Sequence, residues 1–146
     1  MNNSKRIPLL LAICLCLTAT FGQDLDSLLR VYAQTPEEAQ KSFIVKAAGL
    51  CKLDEACHLE MAEKLRTAGA PDLKYYLEKT GALFHNAGDY ERSRSWFRRS
   101  LEADPSNREH RGVIYNLLAT SFSRQSNYDS VAYYRQKAQT ILEDEK

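Results

Sequence analysis

The amino-acid sequence predicts an all-α fold of seven helices, six of them arranged in three hairpins after a short first helix. Three observations predict it. From Asp24 onward apolar residues recur three and four apart, the period of a helix with one buried face. No segment keeps the strict alternation of apolar and polar residues that marks a half-buried strand. Glycine (6) and proline (4) are scarce, and long stretches carry neither, which disfavours a turn-rich β fold.

Residues 1–22 stand apart. Lys5 and Arg6 form a basic start, the stretch 7–17 is apolar, and Thr20 and Gly22 are small residues spaced for a cleavage site. This is the order of a secretory signal peptide, and cutting there leaves Gln23, or after one more residue Asp24, as the new N-terminus. The apolar run is short for a bilayer span, so an uncleaved anchor is the minor alternative. Lipidation at Cys14 or Cys16 is another, although Ile13 is bulkier than the small residue expected before a lipidated cysteine. The chain is therefore expected to be exported, periplasmic or secreted, with no stable membrane span after cleavage. Losing Lys5 and Arg6 from a chain of net charge +1 leaves it close to neutral.

Each helix has its own signals. Leu25, Leu28, Leu29 and Tyr32 give a short N-terminal helix within 24–35. Thr35-Pro36-Glu37-Glu38 opens the second, with Thr35 as N-cap, Pro36 at the first helical position and acids in the first turn. Its buried face is Phe43, Ile44, Ala47, Ala48 and Cys51. Asp54 caps the third, whose face is Ala56, Leu59, Ala62 and Leu65, and Gly69-Ala70-Pro71 ends it. Asp72 opens the fourth, through Leu73, Tyr76, Leu77, Ala82 and Phe84. Ala87-Gly88-Asp89 separates this from a helix over 90–103. After Asp104-Pro105-Ser106-Asn107 a long helix covers about 109–123, and after Gln125-Ser126-Asn127 a last one covers about 128–143.

Composition narrows the chemistry. A near-neutral chain lacks the excess of lysine and arginine that a nucleic-acid surface needs, so no nucleic acid is expected. No phosphate-binding, dinucleotide, zinc-protease, esterase or calcium-loop motif occurs, so neither catalysis nor a cofactor is expected. His58, His85 and His110 lie on different elements and read as solvent-facing. Arg92, Arg94, Arg98 and Arg99 read as a solvated face interleaved with Glu91 and Glu102. Cys51 and Cys57, six residues apart, either pair across a helix–helix turn or remain two buried thiols, and no cysteine–histidine cluster has metal-ligand spacing.

An internal period is present. Over 74–107, a span of 34 residues, stand Leu77, Gly81, Phe84, Gly88-Asp89-Tyr90, Ser93, Phe97, Ser100 and Pro105. Small Gly81 and Ser93 allow two helices to approach, Phe84 and Phe97 fill the space beside them, Gly88 makes a left-handed turn and Asp89 caps. The pattern recurs over 112–143, where Tyr115, Leu118, Ala119 and Phe122 precede Asn127-Tyr128, and Val131 and Ala138 stand where Ser93 and Ser100 stood. There Tyr133-Tyr134 come one residue early, with Arg135 at the aromatic place. A degenerate unit over 36–70 lacks the glycine and the aromatics.

These units resemble the tetratricopeptide repeat, over nearly the whole of 36–143. The resemblance implies a right-handed α-solenoid whose first helices line a concave groove that accepts a protein or peptide ligand. Carried over by position, the groove holds Tyr75, Glu78, Ala82, His85 and Asn86 from one unit and Val113, Asn116, Thr120 and Arg124 from the next. Members that hold a peptide's terminal carboxylate carry lysine and asparagine where Glu78 and Ala82 stand, so that specificity is not expected. Such arrays are also similar to the extracytoplasmic sensor regions of some bacterial two-component signalling proteins. The chain thus reads as a non-catalytic exported scaffold, with a sensory part lacking its output domain as the alternative.

Overall fold

The computed structural model describes residues 25–143, and the signal peptide expected at 1–22 lies outside the described residues. Their regular structure is entirely helical: α1 (Leu25–Gln34), α2 (Glu37–Ala48), a 3-10 turn (Gly49–Cys51), α3 (Glu55–Thr67), α4 (Leu73–Asn86), α5 (Tyr90–Ala103), α6 (Arg108–Ser123) and α7 (Tyr128–Glu143). No helix among them is long and apolar enough to cross a membrane.

Helix ends follow the expected polar residues with one exception. The carboxylates of Asp54 and Asp89 accept from the backbone N–H of Cys57 and Arg92, and the Asn107 side chain accepts from that of His110. Each bond satisfies one of the donors that a helix start leaves without an intrahelical partner. Gly88, at φ +83°, turns the chain out of α4 so that the Asp89 N–H meets the Phe84 carbonyl at 2.9 Å. Thr35 is the exception, because α2 is capped by Pro36 and without a side-chain bond. The Thr35 hydroxyl instead donates to the Val31 carbonyl at 2.7 Å, closing the end of α1 behind it.

Two helix pairs pack closely, α4 with α5 and α6 with α7. In the first, Gly81 lies so near the Phe97 ring that a β-carbon there would sit 2.6 Å from it. Ser93, Trp96 and Ser100 are buried on the facing helix. In the second, Ala119, Val131 and Ala138 are the buried small residues, and the Tyr134 ring stacks on Phe122 with centroids 5.6 Å apart. Tyr133 is half exposed, and Arg135, at the expected aromatic place, is exposed.

The first pair departs from this arrangement. Expected as a third hairpin, α2 and α3 keep their backbones apart, while α1 packs on both and both pack on α4. Leu28 and Tyr32 of α1 enter among Phe43, Ile44, Met61 and Leu65, forming one core with Tyr76, Leu77, Phe84 and Trp96. The reason is steric: with no glycine at the crossing, large side chains hold the two helices open, and α1 fills the gap. Each large apolar side chain buried in this way contributes roughly 1.5–3 kcal/mol.

The buried face of α3 is also turned from the expected one. Ala56 and Leu59 are exposed, and His58, Met61, Ala62 and Leu65 face inward. His58 takes a core place because both ring nitrogens find partners there. Its Nε2 donates to the Lys52 carbonyl at 2.9 Å, which leaves Nδ1 to accept from the Tyr76 hydroxyl at 2.9 Å. Phe84 and Trp96 pack edge-on against the ring. Burial holds His58 below the ordinary imidazole pKa and the Tyr76 hydroxyl above its ordinary one, so both stay neutral. Next to this network, Cys51 and Cys57 form a disulfide with their Cα atoms 5.6 Å apart. The bridge and the His58 bond fasten a turn in which Lys52 adopts φ 51°, a conformation that L residues rarely take.

The arginines of α5 are not a uniform solvated face. Arg92 pairs with Glu55 and Asp89, and Arg94 reaches across to Gln125 at 2.7 Å and lies over the Phe122 ring. Arg98 and Arg99 border an open hollow with Arg66 and Glu102, Arg99 lying over Trp96.

Candidate functional site

Helices α2, α4 and α6 present one shared face. Lys41 and Val45 on α2, Glu78 and Ala82 on α4, and Glu109 and Val113 on α6 are pairs four residues apart, so each pair lies on one side of its helix. All six line a single open cleft of about 390 Å³, together with Tyr75, Lys79, Asn107 and His110. The spacing resolves into two rows across the three helices. Lys41, Glu78 and Glu109 make a charged row, and Val45, Ala82 and Val113 an apolar one. Val113 is 44% exposed, so the apolar row reaches solvent.

Several contacts fix the floor. Lys74 and Asp104 pair across the α4–α5 hairpin, holding the carboxylate of Asp104 below its ordinary pKa through a hydrogen bond from Lys74. The Asn107 cap then starts α6 with His110 in its first turn, pointing inward and only 5% exposed. The Ser100 hydroxyl donates to the Lys74 carbonyl at 2.7 Å, so at its 2.9 Å contact with His110 it accepts, and Nε2 of the imidazole carries the hydrogen. Nδ1 faces Oε2 of Glu78 at 3.5 Å. The Tyr75 ring stands edge-on to His110 with centroids 5.6 Å apart, and the Lys41 ammonium lies 3.7 Å above that ring. Burial raises the Glu78 pKa, with Lys41 and Lys79 opposing, and burial with Lys74 lowers that of His110.

Of the residues expected in the groove, Tyr75, Glu78, Ala82 and Val113 meet in this cleft. His85 lies farther along α4, half-buried against the Tyr90 ring at 5.2 Å, where burial and the charge of Arg124 lower its pKa. Asn86, Asn116, Thr120 and Arg124 are exposed outside the cleft lining, and the Thr120 hydroxyl is taken up by the Asn116 carbonyl at 2.9 Å. Cys51 and Cys57 form their disulfide beside the His58 network and do not line the cleft.

Sequence reasoning missed Lys41, Val45, Lys79, Asn107, Glu109 and His110. The helical period was a sufficient signal for two of them, since Glu109 and His110 precede Val113 by four and three residues. His110, read as solvent-facing, is buried, with the Ser100 hydroxyl accepting from Nε2 and Nδ1 turned toward Glu78. His58 is buried as well, in a cluster closed to solvent that ties α3 to α4. Among the described residues no group of three or more histidines, cysteines or acids is placed to hold a metal ion. The chain matches no protein-family model, no curated protein and no solved structure.

Proposed function

We propose that the protein is an exported, non-catalytic scaffold of the tetratricopeptide-repeat kind, a right-handed α-solenoid that binds a protein or peptide segment across α2, α4 and α6. One observation carries this reading: α2, α4 and α6 each offer two residues four apart to one open cleft, in an apolar row beside a charged one. An extended segment crossing the helices would set apolar side chains on Val45, Ala82 and Val113 and polar ones on Lys41 and Glu109. The family reading is supported by the close contact of Gly81 with Phe97 and by the left-handed Gly88 followed by the Asp89 cap. Export is supported by the order of basic, apolar and small residues in 5–22.

Photo-crosslinking in the native host tests the reading. A benzophenone amino acid at Val45 or Val113 should give a discrete protein adduct in the extracytoplasmic fraction, and the same group at Glu102, on the opposite hollow, should not. Equal labelling at all three positions, or none at Val45 and Val113, refutes binding at this face. Recovery of the protein in the cytosol with Lys5 and Arg6 still attached refutes export.

A further inference from the structure

We infer that the cleft takes up one proton on Glu78 and His110 when it binds an acidic segment, so that it holds such a segment more tightly in mild acid than at neutral pH. This deepens the peptide-binding reading and rests on it. The geometry comes first. Because Ser100 donates to the Lys74 carbonyl, His110 must present its bare Nδ1 to Glu78 Oε2, 3.5 Å away. Two acceptors thus face each other in a half-buried place with no hydrogen between them. A single proton, on either atom, converts this opposition into a hydrogen-bonded pair. Burial disfavours the charge on each group, raising the pKa of Glu78 and lowering that of His110.

The surroundings set what the proton does. Facing the pair are Lys41 from α2, Lys74, Tyr75 and Lys79 from α4, Ser100 from α5, Asp104 from the link after α5, and Asn107 and Glu109 at the start of α6. Lys74 and Asp104 neutralise each other. Among the described residues neither Lys41 nor Lys79 has an ion-pair partner. Lys41 is held over the Tyr75 ring, and its charge acts on the cleft. In the deprotonated state Glu78 and Glu109 balance these two lysines, and Glu78 repels any carboxylate brought to the cleft. With the proton in place the charge of Glu78 is cancelled by its histidine, and the cleft carries an excess of one positive charge. An acidic side chain then meets Lys41 and Lys79 without that opposing carboxylate. The acid at position 78 is therefore a conditional barrier to an anionic ligand.

The test uses two labelled peptides, one of alternating glutamate and valine and one of alternating glutamine and valine, bound to the purified protein and followed by fluorescence anisotropy. From pH 7.5 to 5.5 the affinity for the glutamate peptide should rise by at most about tenfold per pH unit, the limit for one linked proton. The glutamine peptide should change little. Glu78→Gln should bind the glutamate peptide at pH 7.5 as tightly as the wild type does at pH 5.5, with the pH dependence lost. His110→Gln, which can still donate to Ser100, should lose the dependence while keeping weak neutral-pH binding. If the peptides bind with the same pH dependence in wild type and Glu78→Gln, proton coupling is refuted and the groove reading survives. If neither peptide binds at any pH, the groove reading is in question, and ring-nitrogen NMR of His110 decides the coupling without a ligand. The His110 titration should shift between wild type and Glu78→Gln, and superimposable curves refute the pair.

Discussion

Gly81 is the position where one methyl group tests the packing of the best-formed hairpin. An alanine β-carbon would lie 2.6 Å from two carbons of the Phe97 ring and 3.2 Å from a third. Carbon atoms pack best at roughly 3.5–4.0 Å, so the ring would have to retreat by about 1 Å. Phe97 is only 1% exposed and shares the second core with Ile114 and Leu118, which leaves it no open direction. Overpacking of this kind costs about 1–3 kcal/mol. Alanine in a helix interior returns up to about 1 kcal/mol through its better propensity, leaving a net loss of up to about 2 kcal/mol. In urea unfolding followed by circular dichroism, with a slope near ~2 kcal/mol per molar, the midpoint should fall by up to about 1 M. Gly112 is the internal control. Its β-carbon would meet only Ile141 Cγ2, at 3.9 Å, so Gly112→Ala should be stabilising by about 0.5–1 kcal/mol. Adding Phe97→Leu to Gly81→Ala should recover part of the loss. If Gly81→Ala raised the midpoint as Gly112→Ala does, the proposed contact between α4 and α5 would be wrong.

Two further measurements bear on the first core. Reducing the Cys51–Cys57 bridge, or replacing both by alanine, should lower stability by about 2 kcal/mol, since the bridge closes a short loop, and unfolding with and without reductant reads it. His58 is neutral when folded and its pKa is depressed below 6.5, so the unfolded chain binds the proton first. The stability it confers is present above pH 6.5 and is lost as pH falls below it. His85 and His110 act in the same direction, whereas the raised Glu78 removes stability as pH rises through its own range. Midpoints at pH 7.5 and 5.5 should therefore drop on acidification in the wild type, and His58→Gln, less stable at both, should show a smaller drop.

The helical class and the element ends were legible because they rest on local signals: the apolar period, Asp54, Asp89 and Asn107 as caps, and Gly88 as a left-handed turn. Gly81 and Phe97 could be paired in advance because their sizes complement each other within one hairpin. Three things were not legible, and two of them depend on partners distant in sequence. Thr35 looked like a cap for the helix after it and closes the one before it. His58 and His110 looked polar and therefore exposed, yet Tyr76, the Lys52 carbonyl and Ser100 make their burial tolerable. The opening of α2 from α3 is held by large side chains at their crossing and filled by α1, which no single helix discloses. Five of the nine expected groove residues fell outside the cleft, because positions were carried along α4 to His85 and Asn86 and along α6 toward Arg124. The cleft closes instead around its first turn, where the Asn107 cap and the Lys74–Asp104 pair fix the link.

The seating of α1 also orders events in time. Its contacts span long stretches of chain: the Tyr32 hydroxyl donates to Asp72, 40 residues on, and Lys64 donates to Asp26 across 38. The pairs α4–α5 and α6–α7 join neighbours in sequence and can close as soon as their own residues exist. During synthesis α1 precedes its cover, because Leu28 and Tyr32 have none until α3 and the start of α4 have been made. For roughly 2–8 s at ordinary elongation rates the nascent chain shows an uncovered amphipathic helix. That interval is a window in which an export or holding factor could engage the chain before the first core closes.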